Sequence, residues 1–442
     1  METILDEHTT MTGSARVVIV TANHIAGNPR VVKEADALSA AGMRVHVIFP
    51  QRTTGDLCRY DEQLLAEKSW RWVAVSVPQR EKNLISWGIA AAKQTANQAV
   101  PRSFRSFGTI AERGVSRLSP LLIQEALAIP ADLYIGHYPE GLAAAGLAAK
   151  AHSGMLGFDA EDFHIGEATD PRVKATADAI QRRYLPRCSY VTAASAGIAA
   201  AVTDRYQIST PTTIYNTFPW VERSHLDGIA RDRVGSSLSL YWYSQTVGMD
   251  RGIQDAIRAA ALVRGSVQLH IRGTITESVR MGLLSLAAEC RVADRVFFHD
   301  QVSPAELLSR TAEHDIGLAL EQGTSVNRAI CTTNKLFYYL LAGLAVAATA
   351  VEGQVAVLGQ HTEAAALYPP GNYRALADVL DHWLADRTLV ERAKAAALEC
   401  ARTRWNWERD SQRLVEVVER VIRDKGRSVV ARDAGKVAEA AI

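Results

Sequence analysis

Cysteine is scarce and unpatterned in this chain. Five thiols (Cys58, Cys188, Cys290, Cys331 and Cys400) are scattered through 442 residues without a C-x-x-C pair. That distribution predicts reduced, mostly buried thiols in a cytoplasmic protein and gives no zinc-ligand spacing. Long apolar runs are missing too. The longest, 336–351, is interrupted by Gly343 and bracketed by Lys335 and Glu352, short of the roughly 20 residues a membrane helix needs. An excess of one charge is also lacking: 49 basic against 48 acidic residues leave a net charge of +1. No overall field therefore favours nucleic acid or an anionic membrane. The opening METILDEHTT is acidic and polar, unlike a signal peptide. G-x-G-x-x-G, P-loop and G-x-S-x-G motifs are absent.

What is present is an alternation of short apolar runs with amphipathic stretches. Residues 16–20 (RVVIV) read as a first strand. Asn28 and Pro29 read as N-cap and first helical position, and Val31, Val32, Ala35, Leu38 and Ala41 make the apolar stripe that Gly42 ends. Residues 45–49 form a second strand, and further strands are expected at 71–77, 132–136, 155–158, 190–194 and 213–215. A polar stretch at 221–237 reads as a linker. A second strand–helix series follows, with strands at 239–243, 268–272, 295–299, 316–320 and 344–348. Two successive Rossmann-like halves imply an α/β fold with a cleft at their interface, where ligands commonly sit.

The stretch 315–343, DIGLALEQGTSVNRAICTTNKLFYYLLAG, concentrates this logic. An apolar strand leads into a polar loop; Asn334 and Lys335 open a short helix, and Gly343 is placed to end it in a left-handed residue. Such a loop and helix N-terminus favour an anion such as a diphosphate. Between Arg80 and Arg117 seven basic residues stand against two acids, interleaved with Trp87, Phe104 and Phe107. That section reads as a solvated helical insertion, with an acceptor flap or a peripheral membrane contact as the functional alternatives.

The ordered motifs resemble the retaining GT-B glycosyltransferases, family 4-like, over about 16–423. The carriers are Ser195 to Asn216 with its Ile-Tyr-Asn-Thr-Phe end, the segment from Tyr243 to Arg251-Gly252, and Trp407-Glu408 before the last helix. The resemblance implies a disordered tail at 1–15, an acceptor domain at 16–220 and a linker at 221–237. It implies a donor-nucleotide domain at 238–404, a helix at 405–423 crossing back, and a tail at 424–442. It also implies sugar transfer from a GDP-, UDP- or ADP-linked sugar to a small-molecule or glycan acceptor. The diphosphate would serve as its own base, and no cofactor or nucleic acid would take part. The family's paired glutamates are missing, with Ile330 near the first position and Tyr338 at the second, and Gln245 stands where a phosphate-binding arginine is common.

On that resemblance His137, Arg251 and Lys335 are the catalytic candidates. His137 could equally be satisfied by backbone, and Lys335 could pair with Asp315 or Glu321. Donor contacts fall to Gly27, Asn28, Ser244, Gln245, Gly248, Arg272, Asn327, Thr333, Asn334 and Tyr338. Acceptor contacts fall to Arg30, Tyr138, Glu140, His164 and Glu167. No metal site is expected, and Asp159, Glu161 and Asp162 read as acids at a helix N-terminus. The rivals are a natural-product enzyme with a small acceptor, thiols included, as in the ergothioneine step of lincosamide biosynthesis, and a non-catalytic nucleotide-binding protein. A homodimer is left open.

Overall fold

The computed structural model describes residues 15–51, 56–76, 88, 92, 94–96, 109–168, 170–229 and 237–439. The expected N-terminal tail up to residue 14 lies outside the described residues, as do Arg80, Lys82, Lys93, Arg102, Arg105, Trp87, Phe104 and Phe107 of the basic section. The chain divides into two compact units, one of Met1–Ala194, Ile198–Ile214 and Ser411–Ile442, the other of Ser195–Gly197 and Tyr215–Asp410.

The first unit holds seven strands: β1 (Arg16–Val20), β2 (Arg44–Gln51), β3 (Arg71–Ser76), β4 (Leu133–His137), β5 (Met155–Ala160), β6 (Tyr190–Ala193) and β7 (Thr212–Thr213). They lie in the order β3-β2-β1-β4-β5-β6-β7, and every pairing is parallel. Central strands with helices on both faces must be apolar on both sides, which is why Val17 to Val20 and Leu133 to Ile135 are buried throughout rather than on alternate residues. The order runs outward in both directions from the β1–β4 pair, which makes that pair the topological switch point of the sheet.

The second unit repeats the scheme with six strands: β8 (Leu238–Thr246), β9 (Val267–Thr274), β10 (Val296–His299), β11 (Ile316–Ala319), β12 (Ala345–Thr349) and β13 (Ala365–Tyr368). Their order is β10-β9-β8-β11-β12-β13, all parallel, with the switch point at β8–β11. One face of the sheet packs a core of Leu240, Trp242, Ile271, Leu318 and Leu380. The other is built from Leu336 to Ala342, Val346 and Trp405.

The local punctuation follows the sequence. Asn28 caps the helix Pro29–Ala40 by accepting the Val31 N–H, and Gly343 ends Asn334–Ala342 at φ 79°. Ser195, expected to cap the next helix, donates its hydroxyl to the Ile330 carbonyl at 2.7 Å. Part of the expected linker is folded: Trp220–His225 is a short 3-10 helix. Asp227 is tied to Ser309 and Arg310, whereas residues 230–236 lie outside the described residues. The helix that begins at Trp407 continues to Glu439, through the segment expected as a tail. Its first turn is anchored by Glu408 on the Trp220 N–H and by Asp410 on the Thr217 hydroxyl. Among the described residues no helix is long and apolar enough to cross a membrane, and no disulfide joins the cysteines.

Candidate active site

In each unit the segments after the two switch-point strands come together. In the first, the first turn of the helix Tyr138–Ala151, which begins directly after β4, lies against the end of β1: a Cβ on Gly141 would sit 2.3 Å from the Val20 carbonyl. Tyr138, the residue after β4, is held at φ 63°, a conformation costly for a non-glycine side chain and often kept for function. Its phenol oxygen accepts from Asn23 Nδ2 at 2.8 Å and its ring meets His164 edge-on.

Behind this turn lies a buried network of charged side chains. Arg30 donates two hydrogen bonds to Asp159, at 2.6 and 2.9 Å, and a third to the Ile214 carbonyl. His137 is fully buried; its Nε2 meets Glu34 at 2.5 Å and its Nδ1 meets Glu161 at 2.7 Å. Asn28 Nδ2 donates to the same Glu161 oxygen at 3.0 Å. Burial alone would drive the His137 proton off, but Glu34 and Glu161 reverse that and push its pKa up to about 10. Glu161 is pushed above its usual range by burial but ends below it because of His137, Arg30 and Asn28.

These facts correct several expectations. Asp159 and Glu161 are not helix-capping acids: Asp159 sits inside β5, and both neutralise buried cations. Arg30 does not face an acceptor, since its guanidinium is spent on Asp159. His137 is a fixed imidazolium with both N–H groups donated, which leaves it no nitrogen for proton transfer. Oxygen and nitrogen atoms of Glu34, His137 and Asp159 lie close enough to one another to suggest metal ligation. The Arg30 and His137 protons already engage Asp159 and one Glu34 oxygen, and those two positive charges repel a cation. Of the other residues named for this unit, Glu140 is half-buried with its pKa raised by burial, Gly27 closes a turn onto His24, and Glu167 is exposed.

In the second unit the end of β8 carries Ser244 and Gln245, and the loop after it carries Gly248 and Arg251. Gly252, at φ 75°, brings it against the loop after β11: a Cβ there would stand 2.3 Å from the Leu320 carbonyl. This contact gathers three cations around Glu321. Lys335 binds Glu321 at 3.1 Å and lies over the Trp242 ring. Arg328, which sequence reading did not single out, lies 3.2 Å from Asp250, and Arg251 is 3.6 Å from the same carboxylate. Burial raises the Glu321 pKa, but Lys335 first, then Arg251 and Arg328, hold it below the usual carboxylate range. Thr333 and Asn334 start the helix Asn334–Ala342 beside this group, and Asn327 is buried in the short helix Val326–Ile330.

Two expectations fail here. Arg272 is buried and turned inward, donating to the Tyr241 hydroxyl at 3.1 Å and the Asp300 carbonyl at 2.8 Å. Tyr338 is buried in an aromatic cluster, its ring 4.6 Å from that of Phe218 and 5.6 Å from that of Tyr243. The whole helix from Leu336 to Ala342 is buried, so the phenol at this position serves packing.

No protein-family model matches the chain, and no curated protein matches it. Solved structures match it in shape. HepE of Anabaena in complex with UDP superposes with a TM-score of 0.66, covering 91% of this chain and 99% of its own at 14% identity. A glycosyltransferase from Rickettsia africae gives 0.67, covering 92% and 99% at 13% identity. Sucrose-phosphate synthase from Thermosynechococcus elongatus gives 0.65, covering 93% and 100% at 14% identity. Two parallel sheets, each opened at a switch point, and superposition along nine-tenths of the chain on such structures give this protein the GT-B glycosyltransferase fold.

Proposed function

We propose that the protein is a glycosyltransferase that moves a sugar from a nucleotide-diphosphate sugar to a small-molecule or glycan acceptor in the cytoplasm. The reaction would proceed with retention at the anomeric carbon and without metal or cofactor. The observation that carries this reading is the convergence of Arg251, Arg328 and Lys335 at the β8–β11 switch point. Three cations there are matched by two carboxylates, and Asp250 is more than half exposed. A diphosphate can take its place on Arg251 and Arg328 while the N–H groups of Asn334–Ala342 face the same charge. Negative charge grows on the diphosphate as the glycosidic bond breaks, so these donors act most strongly in the transition state and no protein nucleophile is required.

HepE has been solved with UDP and with UDP-glucose, which makes these the first probes. UDP, GDP and ADP are compared by thermal shift, and UDP release from UDP-glucose is then followed with and without chelator. Arg251→Ala should lose about 10²- to 10³-fold in kcat. A variant with near wild-type kcat/KM removes Arg251 from the mechanism, and turnover lost in chelator and restored by manganese or magnesium refutes metal independence. The buried Tyr338, where the resemblance implies a ribose-binding acid, favours a second reading as a nucleotide-binding protein. Nucleotide binding without any turnover would select it.

A further inference from the structure

We propose that the first unit carries a second ligand site, for a small phosphomonoester, where Arg16, Arg44 and Arg71 line one cavity with His46 at the N-terminal end of the sheet. The strand pairing sets the group up. Arg44 and His46 are two residues apart on β2, so their side chains leave the same face. Arg16 is the β1 partner of Arg44, and Arg71 is the β3 partner of His46, which puts all four on that face. Neighbouring strands lie about 4.8 Å apart, and like charges opposite one another cost stability. Three adjacent strands nevertheless begin with arginine. β1 runs from Arg16 at this end to Val20 at the switch point, so the cavity stands at the opposite end of the sheet from Tyr138.

The cavity has a volume of about 400 Å³, within the roughly 300–1,000 Å³ of small-molecule sites. No aspartate or glutamate lines it among the described residues. Asp132, beside it, lies 3.7 Å from Arg16, with both side chains about half exposed. Arg71 has no carboxylate partner among the described residues, so its charge is open to an anionic ligand. The Ser39 and Ser69 hydroxyls, 3.1 Å apart, join the lining. One donates to the other, whose own proton is left for a ligand oxygen. Val18, Met43 and Trp70 supply buried apolar lining. Against such a surface a guanidinium–phosphate pair weighs more than in open water, and the planar fork meets two phosphate oxygens at once. Burial, then Arg71, hold the His46 ring below its usual range, so it is neutral at pH 7 and can take up a proton when an anion arrives. A monoester brings about −1.5 to −2 of charge at pH 7, which suits several cations, and the volume suits a sugar phosphate.

The test uses the full chain and ribose 5-phosphate as probe, by calorimetry at low salt. Arg71→Gln should weaken binding about 10- to 100-fold. Arg71→Lys, which keeps the charge without the fork, should weaken it less. Arg71 is exposed, so both variants should keep the wild-type Tm. Arg251→Ala, in the second unit, should leave the binding as it is. A second readout follows the site in the wild type. The His46 imidazole, assigned by difference with His46→Gln, should titrate at higher pH with ribose 5-phosphate than with ribose, because an opposite charge favours the protonated ring. Phosphatidic acid vesicles carry the same monoester on a lipid. Binding to the vesicles with none to ribose 5-phosphate overturns the assignment to a soluble ligand. Absence of binding to either, or binding that Arg251→Ala abolishes and Arg71→Gln leaves alone with His46 unmoved, overturns the site.

Discussion

A histidine with a carboxylate at each nitrogen is a permanent cation, and His137 shows what that does to stability. Its pKa is pushed up to about 10 from 6.5, so folding is favoured by the bound proton. That contribution is complete below about pH 6.5 and fades as pH climbs through the folded-state value near 10. Glu161 works in the opposite sense: its depressed pKa adds stability above the ordinary value of 4.5, lost as pH falls through the folded-state value. Removing one partner strands the others. His137→Gln should cost about 3–5 kcal/mol in urea denaturation near pH 6, and the deficit should shrink as both proteins are taken toward pH 10. A deficit constant with pH would mean the ring is held neutral. The two arginines of the second unit separate differently. Arg328→Ala removes a charge-assisted donor worth about 1.5–3 kcal/mol and should weaken UDP roughly 10- to 100-fold by calorimetry with little change in Tm. Arg272→Ala, which breaks bonds to Tyr241 and Asp300, should do the reverse.

Among the elements, the loops after the switch-point strands depend on glycines with nowhere to put a side chain. Gly252→Ala would force a left-handed alanine against the Leu320 carbonyl, costing on the order of 1–3 kcal/mol, and should move Arg251 away from Glu321. We expect lower Tm and at least tenfold weaker UDP binding. Gly248→Ala meets the exposed Asp250 side chain, 2.7 Å away, and Arg251 Cγ at an ordinary 3.8 Å, and should be tolerated. Equal losses in both variants would show that the contact with Leu320 does not set the loop. The strands around these loops were readable because buried parallel strands are continuous apolar runs: β1 spans the predicted residues, and most others differ by one to three at an end. The last strand, Ala365–Tyr368, went unread since AALY carries no β-branched residue. The charged network was unreadable for another reason. Arg30 and Asp159 are 129 positions apart, and Glu34, on the core face of an amphipathic helix, looks like any helix acid until the sheet brings β4 and β5 beside it. Arg251 was visible because it lies in the loop that follows a strand, and Lys335 because it opens the helix that Gly343 ends.

At the scale of the molecule, the division of labour is itself testable. The chain leaves the first unit at Tyr215 and returns at Ser411, so each unit owns a separate core while sharing one covalent path. A two-state ledger for the whole chain is therefore not expected, and unfolding should be followed unit by unit. If the second unit alone grips the nucleotide, UDP at about 100 times Kd adds roughly 2.7 kcal/mol to the states that bind it. Amide exchange should then slow about 100-fold in the stretches 246–253 and 320–336, which carry Arg251, Arg328 and Lys335. Amides of β1, β4 and β5, whose local opening does not touch the nucleotide, should exchange at the rate seen without UDP. Lys335→Ala should reduce protection in both stretches together, because its ammonium and Arg251 act on the same carboxylate. Protection that appears instead around His24 and Tyr138, with 246–253 unchanged, would place the nucleotide in the first unit and reverse the assignment of donor and acceptor.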